Sequence, residues 1–138
     1  MKYIVTILVL SLSLMAADAA KSAKELGVYS DYNTALQKAK SENKLMILVV
    51  VWDPCKACDK LVKNTLANTK VKNSLKNHVL VILDYKDKMP KKFRIKMAPK
   101  IFYIDSKTEE KIGTNVGIVS VEEFIDNLND AADMLEEA

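Results

Sequence analysis

The chain has 138 residues, of which 49% are hydrophobic, and a net charge of +3. That length suits one domain around a single packed core, and so mild a positive balance gives no argument for nucleic acid. Cys55 and Cys58 are the only cysteines, so no wider disulfide framework can hold the fold together.

The N-terminus reads as an export signal. Met1 and Lys2 supply a short basic region, Ile4 to Met15 is apolar with scattered Ser and Thr, and Ala17-Asp18-Ala19 fits a small-x-small cleavage site before Ala20. The apolar stretch is too short for an ordinary spanning helix; an uncleaved anchor is the alternative. This gives a signal peptide over 1–19 and a single domain over 20–138. An exported chain meets an oxidising compartment. Leu135-Glu136-Glu137-Ala138 is not a retention signal for the endoplasmic reticulum, so a bacterial periplasm is the simplest home.

Within the domain, Ser30-Asp31-Tyr32-Asn33 can cap a helix in which Tyr32, Ala35, Leu36 and Ala39 recur at helical spacing. Ser41 to Lys44 is a polar break. Leu45 to Val51 is an unbroken apolar run, rich in β-branched residues, which predicts a strand buried on both faces of a parallel sheet. Trp52-Asp53-Pro54-Cys55-Lys56-Ala57-Cys58-Asp59-Lys60 follows, and from Cys58 the spacing of Leu61, Val62, Thr65 and Leu66 is helical to about Ala67. Thr69 is positioned to cap a short second piece containing Val71 and Leu75. His78 has no acid close in sequence and reads as structural or superficial. Val79 to Leu83 is a second buried strand. If it runs parallel to the first, Asp84 ends it at the edge where the cysteines sit, as a strand-end cap. Ile101 to Asp105 is a third strand, led by Pro99, which cannot donate to a ladder. Ser106-Lys107-Thr108 is a hairpin turn, a polar strand lies near Glu110–Asn115, and Gly113 and Gly117 mark bends or bulges. Ser120 and Glu123 form a capping box, and Val121, Phe124, Ile125, Leu128, Ala132 and Leu135 make the apolar stripe of a closing helix.

Charge is unevenly placed. Lys86, Lys88, Lys91, Lys92, Arg94, Lys96 and Lys100 crowd one stretch, while from Glu122 to Glu137 every charged residue is an acid. Two solvated faces account for this most simply; a basic rim that selects an acidic partner is the functional alternative.

The chemistry lies in the cysteine pair. A strand handing over to a helix places Cys55 at a helix N-terminus, where free N–H groups favour an anion. The thiolate is the nucleophile of disulfide exchange. Lys56 and Lys60 add to that field, and Asp53 and Asp59 oppose it. Cys58, one turn inward, is in reach of Cys55. Cys55 therefore attacks and Cys58 resolves. Structural zinc wants four Cys or His ligands, and the chain offers two cysteines and the distant His78. A purely structural disulfide here would close almost no loop. Copper(I) on two thiolates is a further alternative, with Met46, Met89 and Met97 as soft sulfur.

The order of elements resembles the thioredoxin superfamily over nearly the whole mature chain. The resemblance is most specific at Trp52–Lys60 and at Pro90-Lys91-Lys92-Phe93-Arg94-Ile95-Lys96-Met97-Ala98-Pro99, which is similar to that family's approach to its cis-proline. It implies an α/β thioredoxin fold, a central mixed sheet flanked by helices. It further implies catalytic Cys55 and Cys58, a cis Pro99 facing them, and a substrate site at Trp52, Pro54, Ala98 and Pro99 where Ala98 offers its backbone to an extended partner. The chain departs from the family's pattern in four places: Lys56-Ala57 replaces Gly-Pro inside the motif, Pro54 stands where Trp precedes the first cysteine, Val49 occupies the place of the buried strand acid, and Lys100 follows Pro99 where Thr is usual.

The reading is a periplasmic thiol-disulfide oxidoreductase, a disulfide reductase rather than a net oxidase, because the motif lacks an inner His and Ala98 is unlike the pre-proline residue of strong oxidases. No metal or other cofactor is called for. Its partners would be protein disulfides or thiols and a membrane thiol carrier that supplies electrons. It would act as a monomer. A Cu(I) or haem-maturation thiol chaperone and a redox-inactive scaffold that binds through the basic stretch are the alternatives.

Overall fold

A computed structural model of the chain describes residues 18–138. The export signal read at 1–19 therefore lies, but for its last two residues, outside the described part. Met46–Val51 forms β1, and all six of its residues are buried. Such a strand must be covered on both faces. It lies between β2 (Val79–Asp84), which is parallel to it, and β3 (Lys100–Ile104), which is antiparallel. β4 (Lys111–Val116) pairs antiparallel with β3 to complete the order β2-β1-β3-β4.

The alternation along β1 divides the core. Ile47, Val49 and Val51 face one layer with Cys58, Leu61, Leu66, Phe124 and Leu128. Met46, Leu48 and Val50 face the other with Tyr32, Leu36, Phe93 and Phe102. The first layer holds α1 (Ala19–Leu26), the cysteine helix α3 (Lys56–Lys60), α4 (Thr69–Ser74) and α5 (Val121–Glu137); α2 (Tyr32–Glu42) belongs to the second. Both layers and the mixed sheet match the expected fold class.

Several local expectations shift. α1 was not foreseen. It is eight residues long, capped by Asp18, whose Oδ1 accepts the Ala20 N–H at 3.0 Å, and closed by Gly27 at φ 68°. Beyond it, Tyr29 pairs with the outer edge of β2: its N–H donates to the Leu80 carbonyl at 3.1 Å, and its carbonyl accepts from Ile82 at 3.0 Å. α4 is capped by Asn68 rather than Thr69, because the Asn68 Oδ1 accepts the Lys70 N–H at 2.8 Å. The cysteine helix does continue to Leu66, but in π-helical form over Leu61–Leu66. In α5, Ala131 rather than Ala132 is buried beside Phe124 and Leu128. The capping serine behaves as expected, its Oγ accepting the Glu123 N–H at 3.1 Å.

His78, read as structural or superficial, is half-buried. It joins the 3₁₀ turn Leu75–Asn77 to β2, and its buried Nδ1 has no protein partner. Burial, and secondarily the charge of Lys44, holds its pKa below the ordinary 6.5. The unfolded chain therefore takes up this proton more readily than the folded one. Stability should fall as pH drops below about 6.5 and be flat above it. Urea unfolding at about pH 5.5 and 7.5 should show that loss, and His78→Gln should remove it; an unchanged slope in the variant would assign the effect elsewhere.

Candidate active site

Three segments converge at the C-terminal end of β1. Val51 is in register with Asp84 on β2, and Val50 with Lys100 on β3. The sheet thus delivers the Cys55 turn, the chain after Asp84 and the Ala98–Pro99 peptide to one edge. Cys55 is the N-cap of α3, with extended backbone (φ −158°, ψ 102°). Its Sγ accepts the Cys58 N–H at 3.0 Å and lies 4.0 Å from the Ala98 carbonyl oxygen. Cys55 and Cys58 are joined as a disulfide, with Cα atoms 5.2 Å apart. The two sulfurs are unequal in access: Cys55 is half-buried, while Cys58 is 0% exposed in the core beneath Val49 and Val51.

The other expected site residues are placed as follows. Pro99 is buried, and the Ala98–Pro99 bond is cis. Ala98 is half-buried and Met97, just before it, is 64% exposed. Trp52 is half-buried, its ring edge-on to Tyr85 at 5.8 Å. Pro54 is exposed and also follows a cis bond, from Asp53, which the sequence had not suggested. Asp84 is a strand-end cap, its Oδ1 accepting the Lys86 N–H at 2.9 Å.

Sequence reasoning missed the segment that braces the proline. Gly117 donates its N–H to the Pro99 carbonyl at 2.8 Å and adopts φ 83°, a left-handed conformation that favours glycine. Its neighbours Val116 and Ile118 are half-exposed, so with Met97 they make an apolar rim beside Pro99. Next in the chain, the Val119 carbonyl accepts a 2.6 Å hydrogen bond from the buried Thr65 hydroxyl. That bond ties the cysteine helix to the same brace. Thr65→Val should cost about 1–3 kcal/mol, because it strands a buried carbonyl, and Thr65→Ser should recover most of it. Chemical unfolding of both variants tests this; equal stabilities would remove the bond from the account.

Val49 is fully buried on the cysteine face, and the buried polar side chains among the described residues are Ser22, Thr65 and Ser106. No carboxylate therefore sits in the described core beside Cys58. Of the three methionines weighed as copper ligands, Met46 and Met89 are packed in the layer opposite the cysteines. Met97 is the chain neighbour of Ala98, whose carbonyl oxygen lies 4.0 Å from Cys55 Sγ. Among the described residues no group of three or more His, Cys, Asp and Glu could hold a metal ion, and no helix is long and apolar enough to cross a membrane.

A C-x-x-C disulfide at a helix start, against the Ala98–Pro99 peptide that leads into the neighbouring strand, defines a thioredoxin-type redox site. A family model described as a thioredoxin-like domain matches residues 32–132, and the chain belongs to that family. In fold it is similar to a thioredoxin from Thermus thermophilus (TM-score 0.66, 18% identity, covering 76% of this chain and 86% of that one). It is also similar to the C-terminal domain of DsbD from Neisseria meningitidis in its oxidised form (TM-score 0.61, 17% identity, 75% and 98% covered) and to a DsbH oxidoreductase (TM-score 0.60, 16% identity, 76% and 83% covered). At these identities the likeness is one of fold. No curated protein matches the chain by sequence. With its C-x-x-C pair, the chain is a thioredoxin-like thiol-disulfide oxidoreductase.

Proposed function

We propose that the chain is an exported, periplasmic oxidoreductase that runs mainly as a disulfide reductase, with Cys55 as nucleophile and Cys58 as resolving thiol. One observation carries the assignment of roles. Cys55 is only half-buried and its Sγ accepts an N–H that favours anionic sulfur, whereas Cys58 is closed off from any protein substrate. In the dithiol form, the Cys55 thiolate attacks one sulfur of a substrate disulfide. The new S–S bond is a mixed disulfide, and one substrate thiolate leaves. Cys58, losing its proton, then attacks Cys55 Sγ, the second substrate thiolate leaves, and the Cys55–Cys58 bond forms. Two electrons pass from protein to substrate. A membrane thiol carrier in the same compartment would return them.

Ala98, Pro99, Trp52 and Pro54 would hold the substrate backbone against Cys55. Direction rests on the absence of an inner His in the motif and on Ala98 before Pro99. A glutathione or dithiothreitol ladder tests it. A potential near roughly −270 mV supports a reductant, and one well above about −180 mV overturns that direction in favour of disulfide donation or isomerisation. Export is tested separately, by cell fractionation and by the N-terminal residue of the protein recovered. Cleavage before Ala20 would fall just inside α1 and remove its Asp18 cap.

A further inference from the structure

The basic stretch has a place in the fold that its composition alone did not give. It leaves β2 at Asp84 and returns to β3 at Lys100, and those two residues are register partners of Val51 and Val50, the last two positions before the Cys55 turn. Both ends of the loop are therefore pinned beside the redox site. Its middle is pinned as well. Phe93 is fully buried, and Arg94 donates from Nη1 to the Tyr85 carbonyl at 2.8 Å, while Tyr85 packs against Trp52.

The cations of this loop are largely unspent. Lys86, Lys88, Lys91 and Lys96 are exposed, and none has a carboxylate within 4.0 Å; among the described residues only Lys92 of this stretch has an ion pair, a 3.9 Å contact with Glu110. The loop's own acid, Asp87, is exposed, and its Oδ2 accepts the Asp84 N–H at 2.8 Å. Lys96 immediately precedes the exposed Met97 and the Ala98 carbonyl that faces Cys55. The acids nearest the cysteines in sequence are Asp53 and Asp59, and Lys88 lies beside Asp31. A substrate seated on Ala98 would have Lys96, two residues away along the chain, as its nearest unpaired cation in sequence, with Lys86 just beyond the strand end that pairs with Val51.

We propose that this loop selects redox partners whose disulfide is flanked by acidic side chains. The proposal rests on the oxidoreductase reading above and names its substrate class. An acidic protein or peptide fits better than an anionic lipid surface, because both ends of this basic loop are pinned at the edge where a sulfur must be presented to Cys55, and a lipid surface has none to present.

The test uses the full chain, reduced and freed of reductant, with three probes: a cystine peptide flanked by Asp and Glu, the same peptide flanked by Lys, and neutral hydroxyethyl disulfide. At low salt the acidic peptide should be reduced about tenfold faster than the basic one, and the ratio should approach one in about 0.5 M NaCl. Lys88→Glu/Lys91→Glu/Lys96→Glu should abolish or invert the preference while the neutral disulfide is reduced as before. Equal peptide rates at low salt would overturn the proposal, as would a preference that survives either salt or the triple substitution. So would equal rates combined with salt-sensitive binding to phosphatidylglycerol vesicles, which would mark a lipid site, or with salt-sensitive self-association, which would mark the acidic α5 of a second copy as the occupant. Should the triple variant not fold, the salt titration of the unmodified chain decides alone. Failure to reduce even the neutral disulfide would remove the oxidoreductase reading and this inference with it, a result distinct from loss of preference.

Discussion

Cys55→Ala should abolish disulfide reduction, lowering the rate by at least about 10³-fold, whereas Cys58→Ala should keep the first half of the reaction and stall at the mixed disulfide. The asymmetry follows from access. Cys55 is half-buried at the start of α3, with its sulfur against the Ala98 carbonyl that would bind substrate. Cys58 is 0% exposed, enclosed with Val49, Val51 and Leu61, and among the described residues shares its core cluster with no sulfur other than that of Cys55. Without Cys58 nothing on the chain displaces the bound partner. Non-reducing electrophoresis and intact-mass measurement of each variant, incubated with a disulfide-bonded protein, should show thiol-sensitive adducts with Cys58→Ala and none with Cys55→Ala. The opposite pattern would reverse the two roles. Adducts in neither would make the pair structural.

How much of this site could be read from the sequence depends on which physical signal carries each part. β1 is apolar throughout and β2 is apolar up to its last residue, Asp84, and the change of period at Cys58 marks a helix; both survive intact. So does the α5 cap, because Ser120 and Glu123 interact within one turn. Local chemistry misled by one residue where two capping groups adjoin: Asn68 and Thr69 are both competent, and only the backbone angles choose Asn68. α1 escaped because it is eight residues long and its cap, Asp18, falls inside the segment assigned to export. The Pro99 geometry came from family likeness, since spacing and propensity carry no such information. The Gly117–Pro99 and Thr65–Val119 bonds join residues far apart in the chain, and Gly117 alone hinted at them. The basic stretch was legible as composition. That both its ends are tied to the strand leading to Cys55 is a fact of sheet order, which periodicity does not specify.

Phe93 joins stability to the site, and its loss should be among the costliest single changes outside the cysteines. It sits in the short 3₁₀ turn Lys91–Phe93, in the middle of the basic loop, where neither a helical nor a strand period singles it out. Yet its ring is fully buried, edge-on to Phe102 at 5.2 Å and tilted against Tyr32 at 6.0 Å. Tyr32 is itself held by a 2.8 Å bond from its hydroxyl to Glu109 Oε1 in the β3–β4 connection. Phe93→Ala should therefore cost about 3–5 kcal/mol, a large part of the roughly 5–15 kcal/mol that holds a domain of this size. Phe93→Leu, which keeps most of the volume, should cost under about 1.5 kcal/mol. The same truncation frees the middle of the loop that ends at Ala98 and Pro99. Reduction of a protein disulfide should then slow through a raised KM, while hydroxyethyl disulfide, which needs only Cys55 and Cys58, should be reduced at the former rate. Urea unfolding beside the two assays separates the effects. A loss below about 1 kcal/mol would show that the loop is not anchored through this ring, and a parallel fall in both assays would place the damage at the cysteine helix instead.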